Sequence, residues 1–407
     1  MIEINDKENC CGCGACVQVC SKQCITMQSD EEGFLYPSVN TDKCVDCGKC
    51  NIVCPMLNQS QEHSPLLSFA YKNPSEPERL KSSSGGLFIE LANCVIAQHG
   101  VVFGVTFDAD WMPVHSYADN KEGIRAFMGS KYVQSRIGNS YSDAKRFLRE
   151  GRIVLFSGTP CQIAGLKKIL RKDYDNLITI EIMCHGVPSP GVWKDYITKI
   201  CPKGIDGQNT VLSSLNDMPL IDGISFRDKS NGWSKYGFVI FGKSASKADR
   251  NSVLSSKHTI IKQWSKENPY MQAFLSNVIL RPSCYNCLHK SGKSEADFSI
   301  GDFWSVDSYK PEMNDDKGVT LAYVLSQKGE ELLRKTGICY EELPSGVEYN
   351  SAFKMSARQK YPREKFWKQY KERGLSCIGA IYQSIKPGFW KKMHIRITNR
   401  LPFLKHK

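Results

Sequence analysis

The sequence predicts two folded units of different kinds: a small α+β unit at the N-terminus, and a larger α/β unit with a mixed, partly parallel sheet behind it. A doubled four-cysteine motif with a short hairpin between its copies predicts the first unit. Alternating strand and helix patterns after residue 100 predict the second. A chain of 407 residues can bury more than one such core.

The strongest pattern in the chain is C-x2-C-x2-C-x3-C, which occurs twice. Its copies are Cys10, Cys13, Cys16 and Cys20, then Cys44, Cys47, Cys50 and Cys54. Such spacing lets three close thiolates wrap a cubane, while the fourth thiolate comes from the other motif. We therefore predict two 4Fe-4S clusters. One is held by a first cysteine group, Cys10, Cys13, Cys16 and Cys54. The other is held by a second cysteine group, Cys44, Cys47, Cys50 and Cys20.

The segment between the two motifs predicts a hairpin, with strands at residues 25–27 and 34–36. Residues 5–57 thus resemble bacterial two-cluster ferredoxins, although Ser21 stands where a proline usually follows the first motif. Cys11 and Cys24 are extra, and we predict that they are core or surface thiols rather than ligands. Two structural zinc sites are the alternative, which the doubled pattern disfavours.

Composition limits the class of protein. Residues 1–62 hold nine acidic and four basic residues, so an acidic start precedes a basic remainder in a chain of net charge +12. The basic residues are scattered, which argues against nucleic acid as a partner. No signal-peptide pattern and no run of 18 apolar residues occurs, which predicts a cytoplasmic protein. In a reducing compartment, eighteen cysteines indicate metal ligands or redox thiols rather than disulfides.

A polar linker at residues 58–66 leads into the larger unit. Ser84, Gly85 and Gly86 then precede a helical pattern, and their amides and hydroxyls would suit a phosphate. An ordinary serine cap with glycines for a tight turn explains the same residues. Further along, residues 226–242 predict a hairpin that turns at Asn231 and Gly232.

A βαβ pattern places two cysteines at strand ends. Strands are predicted at 153–156 and 177–183, and Cys161 and Cys184 follow them. Because open α/β sheets bind ligands at the carboxyl ends of their strands, these two should lie near each other. Cys284 and Cys287 form another C-x2-C pair. A third cysteine group of these four predicts a third 4Fe-4S cluster. A redox dithiol at Cys284/Cys287 and a zinc site of the same four ligands are the alternatives.

The larger unit resembles the coenzyme F420 hydrogenase/dehydrogenase β-subunit family over residues 65–325. The motifs that carry the resemblance are SSSGGLF (82–88), VVFGVTFD (101–108), GSKYVQS (129–135), LFSGTPCQIAGLK (155–167), CHGVPSP (184–190), SFRDK (225–229) and SIGDFW (299–304). Members of this family bind FAD and iron–sulfur clusters, and move electrons between the clusters and a hydride acceptor, often a deazaflavin. The fold expected for the chain is an α+β ferredoxin-like N-terminal domain followed by a larger α/β domain with a mixed, partly parallel sheet.

The resemblance implies where FAD would bind. Contacts to its phosphates or ring edges would come from Ser84, Gly85, Gly86, Lys131, Gln134 and Ser135, and the ring pocket would be lined by Gly158 and Thr159. His185, beside a predicted ligand, is a candidate proton donor near the flavin or substrate. A histidine that only hydrogen-bonds a neighbouring group is the alternative.

The C-terminal segment 386–407 has seven basic and no acidic residues, with an apolar helical face. It could contact an anionic membrane surface or an acidic partner, or pack on its own domain. The remaining cysteines, Cys94, Cys201, Cys339 and Cys377, are predicted to be structural. We predict a ferredoxin domain at residues 1–60, a larger domain in two parts at 65–150 and 151–325, and a C-terminal helical region at 326–407.

The function expected is an FAD- and 4Fe-4S-dependent oxidoreductase that reduces or oxidises a deazaflavin or other organic substrate. A redox partner protein or reduced ferredoxin would exchange electrons with it. The resemblance also suggests a setting in bacterial polysaccharide biosynthesis. The alternative is an electron-transfer subunit that has no substrate of its own and serves a partner enzyme.

Overall fold

A computed structural model describes residues 1–200, 220–243 and 257–385. Cys201 and the basic segment 386–407 lie outside these residues. We call residues 1–60 the head and residues 65–385 the body. Within the described ranges, none of the helices is long and apolar enough to span a bilayer.

The strands and α-helices are numbered separately along the chain. The strands are β1 (Ile25–Ser29), β2 (Leu35–Val39), β3 (Leu67–Tyr71), β4 (Val101–Phe107), β5 (Pro113–Ala118), β6 (Val154–Gly158), β7 (Leu177–Ile182), β8 (Leu220–Asp228), β9 (Gly237–Lys243), β10 (Lys257–Trp264), β11 (Phe298–Asp302), β12 (Thr320–Val324) and β13 (Glu341–Leu343). The helices are α1 (Ala15–Val19), α2 (Lys49–Ile52), α3 (Glu76–Lys81), α4 (Leu87–Ala97), α5 (Ser140–Arg149), α6 (Pro160–Leu170), α7 (Pro190–Ile200), α8 (Pro269–Leu275), α9 (Val306–Tyr309), α10 (Gln327–Thr336), α11 (Arg363–Arg373) and α12 (Cys377–Ser384).

The body is built on an eight-stranded sheet in the order β13-β3-β12-β11-β7-β6-β4-β5. Its centre is parallel, because β11, β7, β6 and β4 pair in that sense. Its flanks are antiparallel, with β12, β3 and β13 on one side and β5 on the other. The predicted mixed, partly parallel sheet is confirmed, and so is the predicted βαβ unit, which is β6-α6-β7.

Apolar side chains fill both faces of this sheet. Phe156 on one face packs with α5 and α6, while Leu155 on the other packs with α4. Both side chains are fully buried. Strands that are covered on both faces consist of continuous apolar residues. Residues 153–156 could therefore be recognised as a strand from the sequence.

A second, three-stranded antiparallel sheet has the order β10-β9-β8. The predicted hairpin is confirmed as β8 and β9, and Gly232 in the loop between them has φ +96°, which favours glycine. This sheet shares a core with α7, α8, α11 and α12, in which Trp193, Phe226 and Tyr270 are buried.

The head contains the predicted hairpin, β1 paired antiparallel with β2. The turn of this hairpin contacts the start of α7. Gly191 donates its backbone N–H to Glu32 O (3.2 Å). Ser189 Oγ donates to the same oxygen (2.5 Å). A Cβ on Gly33 would lie 2.2 Å from Gly191 N, so the two backbones touch without side chains between them. The head therefore packs as an integral part of the molecule.

Candidate metal centres

The outer end of the head contains an open cavity of about 350 Å³, the peripheral cavity. All four members of the second cysteine group line it. Cys20 comes from the first motif, as the exchange of fourth ligands between motifs requires. Cys24 lines the cavity too, with its Sγ 3.4 Å from Cys20 Sγ. Cys47 is exposed and the neighbouring Val45 is 61% exposed, so this cavity lies at the surface.

The first cysteine group lies deeper, between the peripheral cavity and the body. Cys10 and Cys13 are buried. Burial, together with the neighbouring Cys10 and Cys54, raises the pKa of Cys16 to about 12. Cys54, from the second motif, therefore lies beside members of the first, as predicted. Neutral thiols of this kind lose their protons when a metal binds.

The body contains an open cavity of about 450 Å³ beyond the carboxyl ends of β6 and β7, the central cavity. All four members of the third cysteine group line it, although they come from three separate segments. Cys161 lies in the first turn of α6, Cys184 follows β7, and Cys284 and Cys287 lie on one loop. The fold thus brings together the four cysteines that sequence placed in one group.

The spacing of the cysteines bears on the zinc alternatives. Zinc holds its thiolates at about 2.3 Å, which crowds four sulfurs around one ion. Across residues 1–200, 220–243 and 257–385, no three His, Cys, Asp or Glu side chains are close enough to hold a single metal ion. Four cysteines around one cavity are the donor set of a 4Fe-4S cluster, and the zinc alternatives stay predictions.

Cys11 is a fifth cysteine at the central cavity. It shares a buried cluster with Cys13 of the first group, and Cys161 of the third group packs against that cluster. The contact with Cys13 and burial raise its pKa well above the usual value, while Cys161 lowers it. The sequence predicted only that Cys11 is a core or surface thiol, and it did not predict a position between two cysteine groups.

Arg281 lies at the junction of the head and the central cavity and is fully buried. Its Nε donates to Cys10 O (2.7 Å), Nη1 to Gln134 Oε1 (2.9 Å), and Nη2 to Leu35 O (2.9 Å) and Cys10 Sγ (3.5 Å). The guanidinium also lies 4.2 Å from the centre of the Tyr36 ring. Burial acts to lower its pKa, but Cys10, Tyr36, Cys11 and Cys284 together hold that pKa above its usual value.

Two more basic residues close the central cavity. His289 is 2% exposed, its Nε2 has no hydrogen-bond partner among the described residues, and burial lowers its pKa to about 4. Lys290 Nζ donates to the backbone oxygens of Cys184 and Ala352.

His185, the candidate proton donor, also lines the central cavity. Its Nε2 lies 2.6 Å from Asn277 Oδ1, its ring meets Phe274 edge-on, and burial lowers its pKa. The hydrogen-bonded alternative therefore has a partner in the structure, and the catalytic role stays a prediction.

The two loops predicted to contact a flavin meet each other. Ser83 Oγ accepts hydrogen bonds from Ser130 N (2.6 Å) and Ser130 Oγ (2.8 Å). Ser84 Oγ donates to Val319 O (2.7 Å). A Cβ on Gly85 would lie 2.1 Å from Tyr71 O, and Gly86 starts α4 with φ +89°. Both glycines thus have structural reasons to be glycine.

The other predicted flavin contacts already have partners inside the protein. Lys131 Nζ donates to three backbone oxygens, of Ala126, Met128 and Gly129, and burial lowers its pKa to about 7. Gln134 Nε2 donates to Cys11 O (3.0 Å) as well as accepting from Arg281. Both side chains therefore already have partners inside the protein.

Ser135, Gly158 and Thr159 belong to a buried polar network at the end of β6. Ser135 Oγ lies 3.1 Å from His115 Nδ1 and accepts from Gln162 Nε2 (3.1 Å). A Cβ on Gly158 would lie 3.2 Å from Gln162 Oε1. Thr159 caps α6 with Gln162, and its Oγ1 lies 3.2 Å from Cys161 Sγ. The network supports the third cysteine group.

A set of aromatic and charged residues beside Ser83 was missed in the sequence. Arg227 pairs with Asp302 (2.7 Å) and donates to Ser83 O (3.3 Å). Trp304 lies within 5.0 Å of that guanidinium, is 50% exposed, and stacks on Trp233 with ring centres 4.6 Å apart. Arg227 and Trp304 were present in the SFRDK and SIGDFW motifs, which was the available signal.

Comparisons with known proteins bear on these centres. Residues 151–341 match the family described as the C terminus of the coenzyme F420 hydrogenase/dehydrogenase beta subunit, and residues 9–57 match the 4Fe-4S dicluster domain. The predicted resemblance is confirmed. The body is thus similar to the C-terminal region of those β-subunits, and the head is similar to a 4Fe-4S dicluster domain. The chain is related in sequence to iron–sulfur proteins and to F420-dependent oxidoreductases.

Individual relatives are more distant. The chain is 27% identical over 191 residues to the coenzyme F420-dependent sulfite reductase of Methanocaldococcus jannaschii, covering 46% of this chain and 29% of that protein. It is 21% identical over 189 residues to one of the subunits of the F(420)H(2) dehydrogenase of Methanosarcina mazei, covering 44% and 54%. The matched regions thus span about half or less of these relatives.

A solved structure of the F420-reducing [NiFe] hydrogenase complex from Methanosarcina barkeri contains a chain similar to this one. The two share 16% identity at a TM-score of 0.43, covering 77% of this chain and 93% of that one.

Proposed function

We propose that the chain is a cytoplasmic electron-transfer protein that holds three 4Fe-4S clusters, one in each cysteine group. The observation that carries the proposal is the position of Cys11, which lines the central cavity with the third group and shares a buried cluster with Cys13 of the first. Each cluster, when bound, supplies a centre that gains or loses one electron at a time. The proposal keeps the predicted domains, which span residues 1–60, 65–150, 151–325 and 326–407.

The three groups differ in exposure, and this suggests their roles. The second group lies in the peripheral cavity, where exposed Cys47 and Val45 leave room for a redox partner protein or reduced ferredoxin. The first group lies beneath it. The third group lies in the body, where its four cysteines are only partly exposed, next to the loops that carry the family motifs. Clusters that follow one another from the exposed head to the body would let electrons pass between a partner protein at the head and an acceptor at the body.

Iron and sulfide stoichiometry of anaerobically purified protein tests this proposal. We expect about twelve irons per chain in the wild type and about eight in Cys284→Ser, since each cubane carries four irons. Cys339→Ser, which changes an exposed cysteine outside the three groups, should keep about twelve. A wild type with about eight irons after reconstitution, or an unchanged count in Cys284→Ser, would contradict the third cluster.

A second candidate function is that of an FAD-dependent oxidoreductase acting on a deazaflavin or other organic substrate. It is favoured by the Trp304 and Arg227 surface beside Ser83, where an exposed indole could stack on a flat ring. Ser84, Lys131, Gln134 and Ser135 already have internal partners, so FAD bound here would rely on backbone groups and this surface. Nothing in the described residues points to a polysaccharide substrate.

Flavin retention tests the second candidate. After FAD is supplied and free cofactor removed, we expect roughly two- to tenfold weaker binding in Trp304→Ala, because one aromatic stack contributes about 0.5–1.5 kcal/mol. Trp264→Ala, at another exposed tryptophan, should bind as the wild type does. Absence of FAD binding in the wild type would reject this candidate and leave the electron-transfer protein.

A further inference from the structure

Arg281 differs from three other buried or partly buried arginines in having no acidic partner among the described residues. Arg79 pairs with Asp315, Arg227 with Asp302, and Arg363 with Glu32. Arg281 is more deeply buried than any of them, yet no carboxylate pairs with it within residues 1–200, 220–243 and 257–385. A buried charge is unfavourable unless an opposite charge accompanies it. The neighbourhood of Arg281 must therefore supply negative charge in another form.

Burial raises the pKa of the neighbouring Tyr36, which keeps its phenol neutral, so the candidates for that charge around the guanidinium, among the described residues, are sulfur atoms. Cys10 Sγ, in the first cysteine group, accepts from Nη2 at 3.5 Å. Cys284, in the third group, lines the central cavity together with Arg281 and donates its backbone N–H to Arg281 O (2.9 Å). The same positive charge therefore acts on members of two different groups.

The position of the guanidinium is fixed on every side. Backbone oxygens of Cys10 and Leu35 hold it, Gln134 accepts from Nη1, and the Tyr36 ring covers one face. A Cβ on Gly12 would lie 2.7 Å from Nη1, so the first motif makes room for it with a glycine. Arg281 cannot turn toward solvent without losing all of these contacts.

We propose that Arg281 is the shared counter-ion of the clusters in the first and third cysteine groups, and that it raises the reduction potentials of both. This inference rests on the proposed function, because it needs clusters in those two groups. A cluster held by four thiolates is anionic, and reduction adds one electron and one more negative charge without breaking a bond. A fixed positive charge beside it favours the reduced form, and net charge and hydrogen bonds to sulfur are known to set such potentials. The second group is not among the partners of Arg281, so its potential should be independent of this residue.

Redox titration followed by electron paramagnetic resonance tests the proposal on the anaerobic full-length protein. Arg281→Gln should lower two of the three midpoint potentials and leave the third unchanged, at full iron content. Arg281→Lys keeps the charge, so its potentials should lie closer to those of the wild type. Arg79→Gln removes a buried guanidinium that Asp315 neutralises and that lines neither the central nor the peripheral cavity, and it should shift none of the potentials. If Arg281→Gln does not fold, Arg281→Met replaces the charge by an apolar side chain, a kind of exchange that buried sites often accept.

Three outcomes would overturn the counter-ion role. Unchanged potentials in a neutral variant with full iron content would remove it. An equal shift of all three potentials would indicate a general effect of the substitution. A shift in Arg281→Lys as large as in the neutral variant would show that charge is not responsible. A wild type with only about eight irons would instead contradict the third cluster of the proposed function, and the response of the first cluster would still test Arg281.

Discussion

The peripheral and central cavities are lined by the same kind of ligand but are built in opposite ways. The second cysteine group comes from a short stretch, residues 20–50, and lies at the surface. The third group is collected from residues 161–287 and is closed in by Arg281, His289 and Lys290. A local motif suffices to place a cluster where a partner can reach it. A cluster inside the body needs ligands that the whole sheet brings together. The same fold can then place buried charged side chains around it.

Iron release should show the largest difference between the two cavities. With a chelator under oxidising conditions, we expect about four of the twelve irons to leave first, roughly tenfold faster than the rest, because exposed regions open at a lower free-energy cost than buried ones. Time-resolved chelator absorbance measures this. Cys47→Ser should abolish the fast phase and leave the slow one. Release of all the irons in a single phase would mean that the cavities are equally protected.

The contact between head and body can be tested with two ion pairs at the same interface. Arg363 pairs with the buried Glu32, whereas Lys371 pairs with the exposed Glu31. Arg363→Met leaves a buried carboxylate unpaired and should lower the free energy of unfolding by about 3–5 kcal/mol. Lys371→Met should cause no measurable change, since both of its groups are in solvent. Urea denaturation under anaerobic conditions compares them, and equal effects would show that burial does not distinguish the two pairs.

The polar network behind the third group should give the smallest effect. Burial lowers the pKa of His115 from 6.5 to about 4, so the folded protein binds fewer protons than the unfolded chain between these values. Stability is therefore full above pH 6.5 and falls with decreasing pH, by up to about 1.4 kcal/mol per pH unit. His115→Gln should remove this slope, and His63→Gln, at an exposed histidine, should keep it. Urea denaturation midpoints measured at several pH values test this prediction. If the wild type, His115→Gln and His63→Gln lose stability equally as the pH falls, His115 is not held neutral by burial.

Sequence patterns predicted the elements whose residues are close together in the chain. The head hairpin, the β6-α6-β7 unit and the β8-β9 hairpin all depend on local turns and apolar runs, and all three are present. The convergence of Cys161 and Cys184 followed from a general rule about parallel strands. The antiparallel flank in which β3 lies between β12 and β13 joins segments more than 200 residues apart, and no local pattern specifies such pairing.

Charged and sulfur groups at the junctions were the hardest to predict. Cys11 was recognised as an extra cysteine, but its contact with Cys161 depends on how the head packs on α6. Arg281 is a single arginine before a proline, with no periodic neighbours to mark it. Its importance comes from burial without an acidic partner, a property that exists only after head and body are assembled.

The separation of the third group along the chain has a consequence for biosynthesis. Residues 10–54, which carry the first and second groups, leave the ribosome early, so those sites can accept iron while translation continues. The central cavity is incomplete until residue 287 has been synthesised, and it is shielded once the N-terminal residues 10–12 have settled against Arg281. Iron for the third group can therefore be bound by its full set of ligands only after synthesis has passed that loop, later than for the two groups of the head.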